Sequence, residues 1–252
     1  MGPIRHPARG FRTESMTFPS FSIIIPVYCE RDNIYPLIER ISSTLPYGYE
    51  VIFVDDGSND GTKDALEETV KKYEFVRAIY LGQRIRKGAA LKVGYSASLG
   101  DTIVTLDGDL QNDPADIPNL LSALQEAHFV VGWRKNRRDS LQRRIQSFLY
   151  NTALRILAAS PLHDINSGFR AFRKEILKNP LLIDARYRIF PLLAHFSGFT
   201  TKEVIVDHFP RRYGKSKYGF GRIFSAIADI VIATFARLFL KKKYRTLTQE
   251  RK

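Results

Sequence analysis

The chain has 252 residues, of which 44% are hydrophobic, and a formal net charge of +13 at pH 7. This length and composition allow one large domain or two small ones, with a sizeable core, and exclude an intrinsically disordered chain. Because Cys29 is the one cysteine, an internal disulfide is excluded, which suits a cytoplasmic protein. The charge predicts a polyanionic partner: nucleic acid, an anionic membrane face or a phosphorylated small molecule. A solvated basic surface is the plain alternative.

The first half of the chain alternates strand and helix patterns with short connections. Apolar runs predict four strands at SFSIIIPVY, YEVIFVDDGS, VRAIYLG and DTIVTLDGD, and helical spacing fills the stretches between them. This alternation predicts an α/β fold with a mostly parallel sheet flanked by helices. After Asp113 the pattern is looser. We expect a strand at HFVVGWR, a long amphipathic helix at DSLQRRIQSFLYNTALRILA and a late strand at FTTKEVIVDHFPRR.

The two ends of the chain differ from its central part. Residues 1–20 contain no hydrophobic block of signal-peptide length, and we expect a flexible tail there. A membrane-spanning helix needs about 20 mostly apolar residues. The best candidate, IFSAIADIVIATFARLFL, contains Asp229 and Arg237 and is followed by KKKYR, so we expect no spanning helix.

Polar residues follow the predicted strands at the edge where such sheets bind ligands. Asp56 can accept hydrogen bonds from a base edge or a ribose, Tyr28 can pack on a base, and Glu30 can take a ribose hydroxyl. Asp-Gly after a strand is also an ordinary turn, so only the combination indicates a nucleotide. The chain has neither GxGxxG after the first strand nor GxxxxGK[ST], so another group must neutralise the phosphates.

The motif Asp107-Gly108-Asp109, followed by Gln111, is the candidate for that role. Alternate residues on an extended chain point to one side, so Asp107, Asp109 and Gln111 are expected to converge. Oxygen ligands of this kind suit Mg²⁺ or Mn²⁺, which completes its shell with phosphate oxygens and water. A solvated acidic turn is the alternative. Asp113, which precedes Pro114, is expected to cap the next helical segment instead.

Six segments, in this order and spacing, resemble the family 2 glycosyltransferases with the GT-A fold: IIIPVYCERDNI, VDDGSNDGT, LDGDLQNDP, VVGWR, NSGFRAF and RRYGKSKYG. The subgroup they resemble is that of the dolichol-phosphate mannosyltransferase-like, or polyprenyl-phosphate glycosyltransferase, enzymes. The resemblance covers about Phe21 to Arg222. It implies a GT-A (nucleotide-diphospho-sugar transferase) catalytic domain over residues 21–217, followed by an amphipathic, basic helical segment over residues 218–252.

The resemblance implies an inverting, metal-dependent enzyme that moves a sugar from a UDP- or GDP-sugar to a polyprenyl phosphate. It assigns a nucleoside pocket to Pro26, Tyr28, Glu30 and Asp56. It places Asp107 and Gly108 near the ribose or the sugar diphosphate, and it makes Asp109 and Gln111 the ligands of Mg²⁺ or Mn²⁺. A basic motif, R-x-x-G-x-[ST]-K, closes over the diphosphate of the leaving group. Here it comprises Arg211, Gly214, Ser216 and Lys217.

The acceptor in this subgroup is a lipid monophosphate, which is already anionic at neutral pH and needs cations instead of a general base. Arg134 resembles the family's arginine in that role. Arg143 and Ser147 are four residues apart on a predicted helix and resemble a second phosphate clamp. Arg170 can serve sugar or phosphate. Asp164 can meet a sugar hydroxyl, or act as the base if the acceptor is an alcohol.

Many members of the subgroup carry transmembrane helices after the catalytic domain. We expect instead that the stretch FGRIFSAIADIVIATFARLFLKKKYR lies in the headgroup region, where Lys241 to Lys243 meet anionic lipid. Its predicted apolar face comprises Phe220, Ile223, Phe224, Ile227, Ile230, Val231 and Leu238. The protein would then be peripheral on the cytoplasmic face of the membrane. A core-packing or dimer helix is the alternative, and a homo-oligomer or a separate membrane partner stays open.

Two other functions stay open from the sequence. One is a family 2 glycosyltransferase that acts on a saccharide hydroxyl in cell-surface polysaccharide or glycolipid synthesis, with Asp164 as its base. The other is a non-enzymatic basic module that binds nucleic acid or membrane. It explains the charge but not the acidic strand ends. No DNA-recognition helix or zinc-finger spacing is present, so we expect no nucleic-acid partner.

Overall fold

The structure is a computed structural model that describes residues 19–183, 186–211, 213 and 222–249. Most of the predicted N-terminal tail lies outside these residues. So do the predicted domain boundary after residue 217 and Phe220 of the predicted apolar face. The side chains of Ile223 and of Lys241 to Lys243 are likewise not among those described.

Seven strands build one sheet. They are β1 (Phe21–Val27), β2 (Tyr49–Asp55), β3 (Val76–Tyr80), β4 (Thr102–Thr105), β5 (Phe129–Trp133), β6 (Arg170–Arg173) and β7 (Thr201–Ile205). Their order is β3-β2-β1-β4-β6-β5-β7. All neighbouring pairs are parallel except those of β6, which runs antiparallel between β4 and β5. The predicted mostly parallel sheet is confirmed, with one reversed strand inserted in it.

Helices cover both faces of the sheet. They are α1 (Arg31–Thr44), α2 (Thr62–Lys72), α3 (Lys87–Ala97), α4 (Ile117–Ala123), α5 (Leu141–Leu157), α6 (Pro180–Ile183), α7 (Phe190–Phe196) and α8 (Arg222–Gln249). Short 3₁₀ turns lie at Pro114–Asp116 and Lys174–Lys178. The Asp113 carboxylate accepts a hydrogen bond from the backbone N–H of Ala115, which confirms the predicted capping role.

The continuous apolar sequence of β1 follows from burial on both faces. Ile23 and Ile25 pack into the core under α1, α2 and α4, whereas Ile24 packs into the second core under α3, α5 and α7. α3 lies so close to the sheet that a Cβ on Gly94 would come 2.3 Å from Ile24 Cγ2. This close approach explains why the sequence of α3 is rich in small residues.

The prediction that β4 continues to Asp109 is wrong. The strand ends at Thr105, and residues 108–110 form a turn in which Leu110 has a φ of 59°. Gly108 packs under the end of β1, where an added Cβ would lie 2.7 Å from Val27 Cγ1, and Leu110 is buried in the core. These two anchors bend the chain, so the acidic residues are brought together by a turn and not by strand alternation.

α8 packs against α5 and α7. Ala233 and Asp229 are buried on its inner side. The Asp229 carboxylate pairs with Arg186, at 2.5 Å, and with Arg188, at 3.3 Å. Among the residues that the structure describes, no helix is long and apolar enough to cross a membrane.

Candidate active site

The site lies at the carboxyl ends of β1, β2 and β4. Pro26 is half-buried near the end of β1. The segment of residues 208–211 crosses this edge and is tied to the β4 turn. The backbone N–H of Phe209 donates to the carbonyl oxygen of Gln111 at 2.8 Å, and His208 forms a bridge with Asn112. The start of the predicted basic motif is therefore held beside the acidic motif.

The predicted nucleoside pocket is lined by a basic loop after β3. The guanidinium of Arg84 lies 4.1 Å from the ring centroid of Tyr28. The buried carboxylate of Asp56 accepts hydrogen bonds from the backbone N–H of Ile85, at 2.6 Å, and of Arg86. Asp56 thus shapes the pocket by holding this loop, and Arg84 covers the ring that was predicted to pack on a base.

Asp107 is paired with Lys87, the first residue of α3. Its other side abuts Gly168, where an added Cβ would lie 2.6 Å from Asp107 Oδ2. Burial raises the pKa of Asp107, but the ammonium of Lys87 outweighs this and holds the pKa below the usual aspartate range. Asp107 is therefore ionised, and its carboxylate is held in one direction by Lys87. The sequence prediction did not include Lys87.

Arg211 lies between two of the predicted donor-site carboxylates. Its Nη2 is 2.6 Å from Asp109 Oδ2, and its Nη1 is 3.3 Å from Glu30 Oε1. The other oxygen of Glu30 accepts a hydrogen bond from Asn33 Nδ2 at 2.6 Å. The guanidinium therefore bridges the ends of β1 and β4, in the cleft where a nucleotide diphosphate and its cation are predicted to bind.

The residues of this cleft fit a divalent cation that is held largely by phosphate and water. The carboxylate of Asp109 forms an ion pair with the guanidinium of Arg211, so its position suits a positively charged partner. Gln111 is oriented by a hydrogen bond from its Nε2 to the carbonyl oxygen of Phe209, at 3.3 Å. Across the described ranges, no cluster of three or more His, Cys, Asp or Glu side chains can hold a metal alone. A diphosphate has to supply further oxygens.

The predicted acceptor arginine lies near enough to Asp107 for its charge to lower the pKa of that carboxyl. Arg134 follows β5, and its side chain is 10% exposed. It forms a bidentate pair with Asp164, with Nε 2.8 Å and Nη2 2.9 Å from the two carboxylate oxygens. Burial raises the pKa of Asp164, but the charge of Arg134 outweighs this and lowers it. Because its pKa is lowered and both oxygens are occupied, Asp164 is a weak general base.

A second cationic group continues from Arg134 to the start of α5. Arg137 is 2.7 Å from Asp139 Oδ2, and its Nη1 donates to Ser147 Oγ at 2.5 Å. Arg143 lies on the same helix face as Ser147 and is 3.8 Å from Asp139. The predicted pair of Arg143 and Ser147 is thus joined by Arg137. The sequence prediction did not single out Arg137.

Arg170 is placed differently from the sequence expectation. It is 2% exposed, and its guanidinium donates to backbone carbonyl oxygens only. The acceptors are Ser167, Ile165, Tyr187 and Arg188. All of these lie in the connections that flank the site, so the buried guanidinium of Arg170 holds these loops together. Gly214, Ser216 and Lys217 lie outside the described residues.

One sequence signal can identify the cations that the prediction missed. Arg84 and Lys87 belong to the run RIRKG, which connects the carboxyl end of β3 to α3. A basic run at the ligand-binding edge of a parallel sheet is a candidate phosphate or carboxylate contact, in the same way as an acidic run. The small residues that follow this run in α3 indicate close helix packing, so the run itself was not predicted to belong to the site.

The edge of the sheet combines ion-paired carboxylates with buried arginines, and such an arrangement suits charged, anionic substrates. The sequence model of glycosyl transferase family 2 matches residues 22–180, and the chain belongs to this family. It is therefore a glycosyltransferase, which excludes the non-enzymatic alternative.

Curated relatives narrow the similarity within the family. The chain is 34% identical over 235 residues to dodecaprenyl-phosphate galacturonate synthase from Rhizobium johnstonii, covering 89% of this chain and 68% of that protein. It is 34% identical over 224 residues to undecaprenyl-phosphate 4-deoxy-4-formamido-L-arabinose transferase from Yersinia enterocolitica, covering 87% and 68%. The chain thus spans about two thirds of the length of these relatives. The predicted resemblance to the polyprenyl-phosphate subgroup is confirmed.

Solved structures support the fold. Glucosyl-3-phosphoglycerate synthase from Mycobacterium tuberculosis, in complex with Mn²⁺, UDP and phosphoglyceric acid, matches with a TM-score of 0.63 and 18% identity. The match covers 87% of this chain and 78% of that one. The same synthase in complex with Mg²⁺ and UDP matches with a TM-score of 0.62. At this identity the similarity shows the GT-A fold alone.

Proposed function

We propose that this protein transfers a sugar from a UDP- or GDP-sugar to a polyprenyl phosphate, with inversion at the sugar carbon. The observation that carries the proposal is the adjacency of two subsites of opposite charge. Asp107 and Asp109 form one, and Arg134 and Arg137 form the other. Arg134 is near enough to Asp107 for each to affect the pKa of the other. The names of the curated relatives support a polyprenyl phosphate acceptor.

The donor subsite binds the nucleotide sugar at the acidic edge. Asp109 and Gln111 would hold Mg²⁺ or Mn²⁺, which supplies positive charge to the diphosphate as it leaves. Asp107 is oriented by Lys87 toward the ribose or the sugar. When the Arg211 guanidinium separates from Asp109, it can contact the diphosphate. We propose that Gly214, Ser216 and Lys217 complete that contact. Pro26, Tyr28, Glu30, Asp56 and Gly108 form the walls of the donor pocket.

The acceptor subsite needs cations and no base, because a phosphate monoester is an anionic nucleophile at neutral pH. Arg134 presents a rigid fork that suits a phosphate better than a single ammonium does. Arg137, Arg143 and Ser147 extend the subsite toward α5. Attack by the phosphate oxygen on the far side of the sugar from the leaving diphosphate gives inversion in one displacement.

An exposed apolar surface leads away from the acceptor subsite, and we call it the α5/α8 surface. On α5 it comprises Leu141, Ile145, Phe148, Leu149, Ile156 and Leu157. On α8 it comprises Phe224, Ile227, Val231, Phe235, Leu238 and Phe239. Together with the exposed Arg144 and Arg155, it suits a bilayer interface with anionic lipid. We propose that the protein is peripheral, on the cytoplasmic face of the membrane.

Transfer of label from a panel of UDP- and GDP-sugars tests the function directly. The purified protein is incubated with Mn²⁺ and undecaprenyl phosphate in detergent. Radiolabel is expected in a solvent-extractable product that mild acid hydrolyses, since a glycosyl phosphate is acid-labile. Label that enters a saccharide hydroxyl, and not the lipid, would contradict the proposed acceptor while keeping the donor. The weak basicity of Asp164 argues against that outcome.

A further inference from the structure

A buried carboxylate on β7 controls the loop that holds the acceptor arginine. The Glu203 side chain is 10% exposed, and it accepts hydrogen bonds from two successive backbone N–H groups, those of His163 and Asp164, at 2.8 Å. It also lies 2.8 Å from His163 Nδ1. Buried charged acceptors of this kind fix the direction of the backbone that donates to them.

The same loop residue holds Arg134. The backbone N–H of Asp164 donates to Glu203, and both carboxylate oxygens of Asp164 accept hydrogen bonds from the Arg134 guanidinium, at 2.8 and 2.9 Å. Glu203 lies on β7, Arg134 follows β5, and these two strands are neighbours in the sheet. β5 pairs with β7 in parallel, with Val131 opposite Glu203. The ring of Trp133 stacks on that of His163 with 4.4 Å between centroids, which closes the group.

We infer that Glu203 is a positioning residue for the acceptor phosphate, acting through the backbone of residues 163–164 and the carboxylate of Asp164 on Arg134. This inference rests on the proposed function, because it takes Arg134 to be the phosphate contact. Neither partner of the bidentate pair is free to set its own direction. Asp164 is fixed at its backbone by Glu203, and Arg134 is fixed by Asp164.

Loss of the Glu203 charge is expected to weaken acceptor binding and to leave donor binding unchanged. Glu203→Gln retains the shape of the side chain but has only one acceptor oxygen. In wild type, the N–H groups of His163 and Asp164 use both carboxylate oxygens. The loop can then move and displace Arg134, which weakens the contact of its guanidinium with the acceptor phosphate. The donor carboxylates contact other elements, so donor binding is expected to be unchanged.

Steady-state kinetics with polyprenyl phosphate in detergent test the inference. For Glu203→Gln we expect the acceptor KM to rise about tenfold, while the donor KM and kcat stay within about twofold of wild type. Glu126→Gln is the matched control, because Glu126 is an exposed glutamate that pairs with Lys202, next to Glu203. His163→Ala keeps the backbone donors, so its acceptor KM is expected to change by less than about threefold.

Amide hydrogen exchange in the absence of substrates provides a second measurement. The amides of His163 and Asp164 are expected to exchange faster in Glu203→Gln than in wild type, with the β1 and β2 amides unchanged. A folded variant with unchanged acceptor KM would overturn the inference. Unfolding of both Glu203→Gln and Glu203→Asp would also overturn it, because Glu203 would then hold the whole domain. If wild type transfers no sugar to lipid phosphate, the proposed function fails, and the exchange rates still test the contact.

Discussion

The donor half of the site is built on carboxylates, whereas the acceptor half is built on arginines. The donor half, at the ends of the parallel strands β1, β2 and β4, presents the carboxylates of Glu30, Asp107 and Asp109. The acceptor half, after the mixed strands β5 and β6, presents Arg134 and Arg137. This division suits the two proposed substrates, because a nucleotide diphosphate bound with a divalent cation needs carboxylates, whereas a lipid phosphate without one needs cations.

Each half also contains its own counter-charges. Arg211 and Lys87 neutralise the donor carboxylates, and Asp164 and Asp139 neutralise the acceptor arginines. Breaking a buried ion pair by removing one partner costs about 3–5 kcal/mol. Substrate binding therefore has to exchange partners instead of simply breaking pairs. On the donor half, Arg211 would exchange Asp109 for the diphosphate, and Asp109 would then be available to hold the proposed metal.

Asp109→Asn is the strongest test of the donor half. The variant lacks the charge that attracts the metal, so we expect kcat to fall by about 1000-fold, equivalent to about 4 kcal/mol of transition-state stabilisation. Initial rates across a Mn²⁺ titration measure this. Circular dichroism should show an unchanged fold. Full activity in this variant would contradict the metal assignment.

Asp113→Asn is the matched control for that experiment. Asp113 belongs to the same acidic stretch, but it caps the turn of Pro114–Asp116 and pairs with Arg40 at 2.8 Å. Because asparagine caps about as well as aspartate, we expect the free energy of unfolding to fall by less than about 1 kcal/mol, from the weakened pair with Arg40. Transfer activity should stay near that of wild type.

Arg211→Ala separates the two partners of Arg211. Transfer is expected to fall about 100-fold, because the diphosphate loses a cation in the transition state. In the absence of nucleotide, however, Mn²⁺ should bind more tightly than to wild type, since Asp109 no longer pairs with a guanidinium. Electron paramagnetic resonance of free and bound Mn²⁺ measures the second effect. Weaker Mn²⁺ binding would show that Arg211 does not compete with the metal.

Arg134→Ala probes the acceptor half. We expect the acceptor KM to rise about 30-fold, equivalent to about 2 kcal/mol, with the donor KM unchanged. Lys71→Ala is the control, since Lys71 is an exposed cation in the last turn of α2 and belongs to neither half of the site. Steady-state kinetics with each substrate varied in turn provide both constants. Equal effects of the two variants would mean that general positive charge, and not a built subsite, attracts the acceptor.

The donor half was more predictable from the sequence than the acceptor half. Its strands are short apolar runs that end in acidic motifs, so the carboxyl edge and its carboxylates follow from local patterns. Even there, the turn at Gly108 and Leu110 was not predicted, because it depends on packing under β1. The place of Arg211 beside Asp109 depends on a contact between residues 102 positions apart.

The acceptor half depends on contacts that local patterns do not encode. Nothing in NSGFRAF distinguishes a phosphate-binding arginine from Arg170, which is buried and bonded to carbonyl oxygens. The antiparallel insertion of β6 and the contacts of Glu203 with residues 163–164 likewise arise from tertiary structure. Basic residues were abundant in this region, so composition gave no means to choose Arg137 among them.

The α5/α8 surface borders the acceptor half, so its loss should affect acceptor delivery alone. The double variant Phe148→Ser/Phe235→Ser changes side chains that are 68% and 56% exposed, so stability should be retained. We expect binding to vesicles of anionic phospholipid to weaken about tenfold, from the loss of buried apolar area. Vesicle co-sedimentation measures this.

Tyr47→Ser, at an 85% exposed aromatic residue in the α1–β2 connection, is the matched control. Because a detergent-solubilised acceptor does not require the bilayer, transfer to it should be unchanged in both variants. An equal loss of transfer in detergent would instead assign these phenylalanines to the acceptor subsite.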